Sequence, residues 1–204
     1  MRADILERLR KFSTCELCDG MEKPRVMIWQ IKPMVSEEKI VGTAFPIKVP
    51  EGVSGIIPDA ILQAQPGDVL VIGGHGLCSR SYWGDHRSLC ARMRGLEGVV
   101  IDGAFRDLDG CREIGFPIYA KAVVPCSAGK EAEGELNVPI RCGCVCVYPG
   151  DYIVGDCSGI VVIRPDEAEQ VMARAAQKVA AQKRTIEHMR QTGEILPRIK
   201  LDAQ

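Results

Sequence analysis

The 204-residue sequence predicts an α/β domain, and three observations carry that prediction. Two short apolar runs, Val69-Leu70-Val71-Ile72 and Gly98-Val99-Val100-Ile101, read as strands buried on both faces of a parallel sheet. Between them, residues 85–94 suit a helix that Gly95 would close, giving a strand–helix–strand crossover and hence two parallel strands. The chain then carries a long helix, about residues 166–191, in which Ala168, Val171, Met172, Ala175, Val179, Ile186 and Met189 recur at helical spacing before Gly193.

The remaining elements follow in order. Residues 4–12 and 14–21 read as short helices, with Asp4 and either Ser13 or Thr14 as N-caps. A Pro-rich stretch follows, with short strands expected near 25–31 and 40–48. The turn Pro66-Gly67-Asp68 opens the first buried run, and the polar, glycine-rich residues 73–84 read as a long loop. A helix begins in 107–114, and 117–123 is strand-like. Three more strands fall at 144–147, 152–154 and 160–164, separated by the turns Pro149-Gly150-Asp151 and Gly155-Asp156. Residues 1–204 are read as a single domain, with 165–204 as its C-terminal helix and tail. The apolar stripe of that helix suits its own sheet or another subunit equally well.

Composition narrows the function classes. With 26 basic and 27 acidic residues the net charge is −1, which gives no broad electrostatic footprint for nucleic acid. Charges interrupt the apolar residues at the start, against a signal peptide, and no run approaches the ~18 apolar residues of a membrane span. Ten cysteines in that context suggest reduced thiols and a cytoplasmic protein. Cys15-x-x-Cys18 resembles a redox or half-zinc motif without a matched second pair. Cys142, Cys144 and Cys146 have the period of two that would put them on one strand face, as core residues or as a soft-metal set.

The chemistry concentrates between residues 73 and 107. Gly84-Asp85-His86-Arg87 falls at the N-terminus of the crossover helix, where free backbone N–H groups favour an anion such as a carboxylate. Arg106-Asp107 follows the second parallel strand, and ligands of open parallel sheets sit beyond the carboxyl ends of strands. Arg106 offers a planar fork for a carboxylate. Asp107 offers a hard oxygen ligand of the kind Mg²⁺ takes, and Asp85 an acid–base group acting through water. The same residues also suit a plainer role: Asp85 as a helix-start charge, Arg106 as its surface partner and Asp107 as an N-cap.

Gly84-Asp85, twenty intervening residues, then Arg106-Asp107 resembles the signature of the class II pyruvate aldolases typified by 4-hydroxy-4-methyl-2-oxoglutarate/4-carboxy-4-hydroxy-2-oxoadipate aldolase. The superfamily also holds the RraA-type regulators of ribonuclease E activity. The likeness extends over roughly residues 4–190: Phe12-Ser13-Thr14 with Cys18-Asp19-Gly20, the strand from Gly98 to Asp107, Asn137-Val138-Pro139, Val147 to Asp151, and Gly155-Asp156 with Gly159 to Ile163. It implies an RraA-like swivelling domain of β/β/α layers with a long C-terminal helix, assembled as a homotrimer or homohexamer with sites at subunit interfaces. Gly84, Asp85, His86 and Arg87 would hold the pyruvyl end of a small 2-oxo acid, largely through backbone N–H groups, together with Arg106. Asp107 would hold Mg²⁺, Mn²⁺ or another divalent metal, which would polarise the 2-oxo group so that cleavage leaves a stabilised enolate. Asp85 would position the water that exchanges protons, making Asp85 and Arg106 the catalytic pair. Oxaloacetate decarboxylation would follow from the same chemistry.

This sequence departs from the family at His86 and Arg87, where the aldolases commonly carry apolar residues. Arg80, His86 and Arg87 are candidates for a further substrate anion or for salt bridges between subunits. Glu194 is an unassigned candidate for the acidic residue that a neighbouring chain contributes in the family. A regulatory binding protein of the ribonuclease-regulator kind is the alternative function. A methyltransferase reading fails, because Gly73-Gly74-His75-Gly76 leads into a polar stretch instead of a cofactor loop. A Schiff-base mechanism would need an activated lysine. Lys121 and Lys130 are the central region's lysines, and neither adjoins residues 84–107 in sequence.

Overall fold

A computed structural model describes residues 2–195. Its centre is a mixed sheet built around β2 (Ile40–Lys48), β3 (Asp68–Ser81), β4 (Gly98–Phe105) and β5 (Ile118–Ala120), which run parallel to one another in that order. On the β2 side, β10 (Tyr152–Asp156) and β11 (Gly159–Ile163) continue the sheet antiparallel, and β1 (Lys32–Pro33) closes the other edge against β5. Short β6 (Ala122–Val123) and β7 (Glu135–Leu136) pair with β4 and β2.

The alternation along β3 explains the layers. Leu70 and Ile72 face a core packed with α3 (Ile57–Gln63), α4 (Asp85–Met93) and α5 (Leu108–Ile114), while Val69 and Val71 face the opposite core. That second core is covered by the hairpin of β8 (Ile140–Cys142) and β9 (Val145–Val147), giving hairpin, sheet and helices: a β/β/α α/β fold. A third cluster joins α1 (Arg2–Leu9), α2 (Thr14–Gly20) and α6 (Ala168–Thr192) to the β10–β11 edge. Ser13 caps α2, accepting from the Glu16 N–H while the Glu16 side chain accepts from the Ser13 N–H. In α6, burial stops at Ala175; Val179, Ile186 and Met189 are at most half-buried.

Several expectations are corrected. Residues 73–84 are not a loop: β3 continues to Ser81, with a bulge where His75 and Gly76 turn left-handed (φ 56° and 77°) and Leu77 rejoins β4 opposite Gly103. The 25–31 strand reduces to a single bridge between Val26 and Val161. Residues 117–123 split into two strands at Lys121. The helix expected over 4–12 ends at Leu9. Cys142, Cys144 and Cys146 do not share a face, because Gly143 and Cys144 form the left-handed hairpin turn; Cys142 is buried, and Cys144 and Cys146 are exposed. α3, β7 and β8 went unanticipated, and the tail beyond residue 195 lies outside the described residues.

Candidate active site

The carboxyl ends of β3 and β4 build the site. Tyr82 N–H donates to Ala104 O (2.9 Å) and Arg106 N–H to Trp83 O (3.0 Å), so the chain entering α4 stays laced to the chain leaving β4. Trp83 is fixed between Phe116, stacked at 6.0 Å, and the Ser88 hydroxyl, which accepts its indole N–H at 2.8 Å. Gly84 is therefore presented directly against Asp107. A Cβ at Gly84 would lie 2.7 Å from Asp107 Oδ2, so only glycine leaves that carboxylate its place.

These segments bound a cavity of about 190 Å³ lined by Gly84, Asp85, His86, Arg87, Arg106 and Asp107. All six anticipated site residues are brought together. Arg106 Nε lies 3.1 Å from Asp107 Oδ2, and its Nη1 donates to Ser127 Oγ at 2.7 Å. The surface partner of Arg106 is thus Asp107 and not Asp85. Asp107 sits at the N-cap position of α5 in a left-handed conformation (φ 57°, ψ 46°), although no side-chain capping bond forms. A non-glycine residue held there stores backbone strain, a feature that clusters at functional sites.

The α4 terminus is partly committed. Asp85 Oδ1 accepts the His86 N–H at 2.6 Å, so that amide is not available to a ligand in this arrangement. Arg87 is tied down by main-chain carbonyls: it donates to Tyr82 O, to Ser54 O (2.9 Å) and to Ser54 Oγ (3.3 Å). Burial, and secondarily the charge of Arg106, pull its guanidinium down to about 10. His86 is exposed at the rim. Arg80 stands outside the lining, donating to Ser127 O at 3.1 Å.

Sequence reasoning missed the far wall: Ser54, Ser81, Trp83, Ser127, Ala128 and Lys130. The segment 126–129 lies beside β3 through a Ser81–Ser127 bridge and beside residue 53 through a Val53–Gly129 bridge. Its separation in sequence from residues 84–107 therefore says nothing about distance. Lys130, set aside on that ground, lines the cavity and is exposed. Lys121 is the opposite case, half-buried with its Nζ 2.5 Å from Asp102 Oδ1.

Among the described residues no cluster of three or more His, Cys, Asp or Glu side chains could hold a metal alone. Asp107, partly exposed beside an open cavity, does fit a hard cation of the Mg²⁺ kind, which takes one or two carboxylates and keeps several waters. A site of several protein ligands, as zinc prefers, does not fit.

The same layered fold recurs in solved structures. An uncharacterized protein of Pseudomonas syringae pv. tomato superposes with a TM-score of 0.81 at 26% identity, covering 95% of each chain. RraAS2 of Streptomyces coelicolor, described as an unusual member of the RNase ES inhibitor RraA protein family, gives 0.78 at 26% identity over 92% of this chain and 98% of its own. Residues 14–162 match the RraA-like family described as Aldolase/RraA, and the chain belongs to that family. A relative from Halalkalibacterium halodurans, bearing the name "Putative 4-hydroxy-4-methyl-2-oxoglutarate aldolase", is 34% identical over 177 residues, 87% of this chain and 84% of its own.

Proposed function

We propose that the protein is a divalent-metal-dependent lyase that cleaves a carbon–carbon bond of a small 2-oxo acid and releases pyruvate. The observation that carries this reading is the convergence of Asp85, Arg106 and Asp107 on one small cavity at the carboxyl ends of two parallel strands. The Halalkalibacterium halodurans relative and its name support it.

Each side chain has a distinct task. Arg106 keeps N–H groups beyond those given to Ser127 and Asp107, and these bind the substrate carboxylate and 2-oxo oxygen in a fixed plane. Ser127 orients that fork. Asp107 would hold Mg²⁺ or Mn²⁺, which when bound supplies Lewis-acid polarisation of the 2-oxo group. With Oδ1 engaged by the His86 N–H, Asp85 has Oδ2 left to take and return a proton through a water. Trp83 and Ala128 wall off part of the cavity, and Arg87 braces its Ser54 side. A Schiff base on Lys130, which is exposed and lines the same cavity, is the competing chemistry.

The test is a screen of 2-oxo acids for pyruvate release with Mg²⁺, after chelation, and after Mg²⁺ is restored. Release that disappears on chelation and returns with metal is expected; undiminished release after exhaustive chelation removes the metal role. Borohydride added with pyruvate should leave no adduct on Lys130, and a reduced pyruvyl-lysine in the mass spectrum would replace this mechanism. The likeness to RraAS2 favours a second reading, a regulatory binding protein acting through its surface. Absence of turnover on every 2-oxo acid, together with capture of a ribonuclease in a pull-down, is the result that reading requires.

A further inference from the structure

The function proposed above leaves the Cys15-x-x-Cys18 motif unused. Both cysteines line one cleft of about 290 Å³, together with Thr14 and Asp19 of α2 and residues of the β11 strand. Cys15 is exposed and Cys18 partly exposed, and both are free. They stand one helical turn apart, where side chains three residues apart are surface neighbours with Cβ atoms about 5–6 Å apart. Cys18 is raised above the usual thiol value by burial first, then by the charges of Asp19 and Cys15.

From this geometry we infer that Cys15 and Cys18 form a redox-active dithiol that closes to an intrahelical disulfide on exchange with a small-molecule disulfide. Closure needs the Cβ atoms to approach to about 3.5–4.5 Å, so the turn must tighten. Cys15 lies in the first turn of a helix of seven residues, where backbone N–H groups have no intrahelical partner to lose. The Thr14 N–H and hydroxyl are held by Asp156 at 2.8 and 2.7 Å, which fixes the helix start while Cys15 adjusts.

The exchange runs in two balanced steps. The accessible Cys15 thiolate attacks one sulfur of the small disulfide and expels one thiolate, leaving a mixed disulfide. Cys18 then gives its proton to solvent and attacks the Cys15 sulfur, expelling the second thiolate. Two protein thiols are oxidised, one external disulfide is reduced to two thiols, and no metal takes part. Cys18 also packs, partly buried, against the cluster that joins α2 to α6, and tightening the turn would draw on that contact. A bridge that works against packing is readily reduced, as suits a reversible site.

The test uses the full chain equilibrated with glutathione at graded ratios of oxidised to reduced form, then alkylated and digested with trypsin. Residues 12–25 form one peptide that contains these two cysteines and no others. That peptide should pass from doubly alkylated to two hydrogens lighter and unalkylated as the ratio rises, and revert with excess reduced glutathione. In Cys18→Ser the glutathione adduct on Cys15 should persist, because nothing resolves it. The wild-type mass series needs no variant to fold. Double alkylation at every ratio, or stable glutathione adducts on both wild-type cysteines, would overturn the inference. The readout is thiol mass, so a failure of the proposed lyase activity would leave it unaffected.

Discussion

Gly84 and Asp107 are best understood as a pair, since the missing side chain of one is the space of the other. Gly84→Ala would place a Cβ 2.7 Å from Asp107 Oδ2 and displace the carboxylate. On the proposed function, divalent-metal affinity measured by calorimetry should fall by roughly 10–100-fold, as when the support of a metal ligand is lost; unchanged affinity would separate Asp107 from the metal. Arg106→Ala should lower kcat/KM by roughly 10²-fold, about 2.7 kcal/mol of transition-state stabilisation. Arg106→Lys should recover little, because a point charge cannot span Ser127, Asp107 and a substrate carboxylate as the fork can. A steady-state comparison of the three enzymes checks this, and a lysine variant near wild type would contradict it. Much at this scale was readable from spacing: the Gly84-Asp85 and Arg106-Asp107 segments could be placed by strand order alone. That Arg87 serves Tyr82 and Ser54 was not readable, because its carbonyl partners are set by a loop without periodicity.

At the scale of elements, α2 is held to the β10–β11 turn by one carboxylate. Asp156 accepts from the Thr14 N–H and hydroxyl and from the Ser158 N–H at 2.9 Å. Burial alone would raise its pKa, but these donors and the charge of Lys39 more than offset that, leaving it below the ordinary value. Since the folded pKa is the lower one, the ionised carboxylate stabilises the fold fully above the unfolded value of about 3.9, and that contribution is lost as pH falls through the depressed value. Asp156→Ala should therefore cost about 1–3 kcal/mol at neutral pH, with the gap to wild type narrowing once the pH is well below the unfolded value of about 3.9. Denaturant melts at both pH values test this, and a gap that does not change with pH would contradict it.

The elements with strong patterns were legible. The buried runs at 69–72 and 98–101 lie in β3 and β4, α4 falls on 85–93, and β2 occupies residues 40–48, near which a short strand is expected within the Pro-rich stretch. The polar end of β3 was not, because Gly73 to Arg80 has the composition of a loop. Its pairing with β4 rests on backbone bonds across a bulge, which composition does not encode. α3 was hidden for a related reason: a seven-residue helix with Pro58 near its start lies inside a proline-rich stretch and depends on packing of Ile57, Ala60 and Ile61.

For the whole molecule, the second half of α6 is the feature a lone chain leaves unused. Beyond Ala175 no described residue of the helix is buried, although Val179, Ile186 and Met189 continue the stripe that packs earlier in the helix. Among the described residues, no helix is long and apolar enough to cross a membrane. The family resemblance implies a homotrimer or homohexamer; on that expectation a second chain would cover this stretch, and light scattering should give a trimer or hexamer. A fully active monomer would contradict the assembly and any contribution of Glu194 to a neighbour's site; in this chain Glu194 Oε2 lies 3.0 Å from His188 Nε2.

The central claim is that Asp85, Arg106 and Asp107 support chemistry on a pyruvyl group with a divalent metal. Exchange of the pyruvate methyl protons in D₂O, followed by proton NMR, reports the protonation half of that chemistry without knowledge of the physiological substrate. Enzyme-catalysed exchange should require Mg²⁺ or Mn²⁺, stop on chelation, and be lost in Asp107→Ala and strongly reduced in Asp85→Ala. Exchange that persists after chelation, or that proceeds at the wild-type rate in Asp107→Ala, would contradict it.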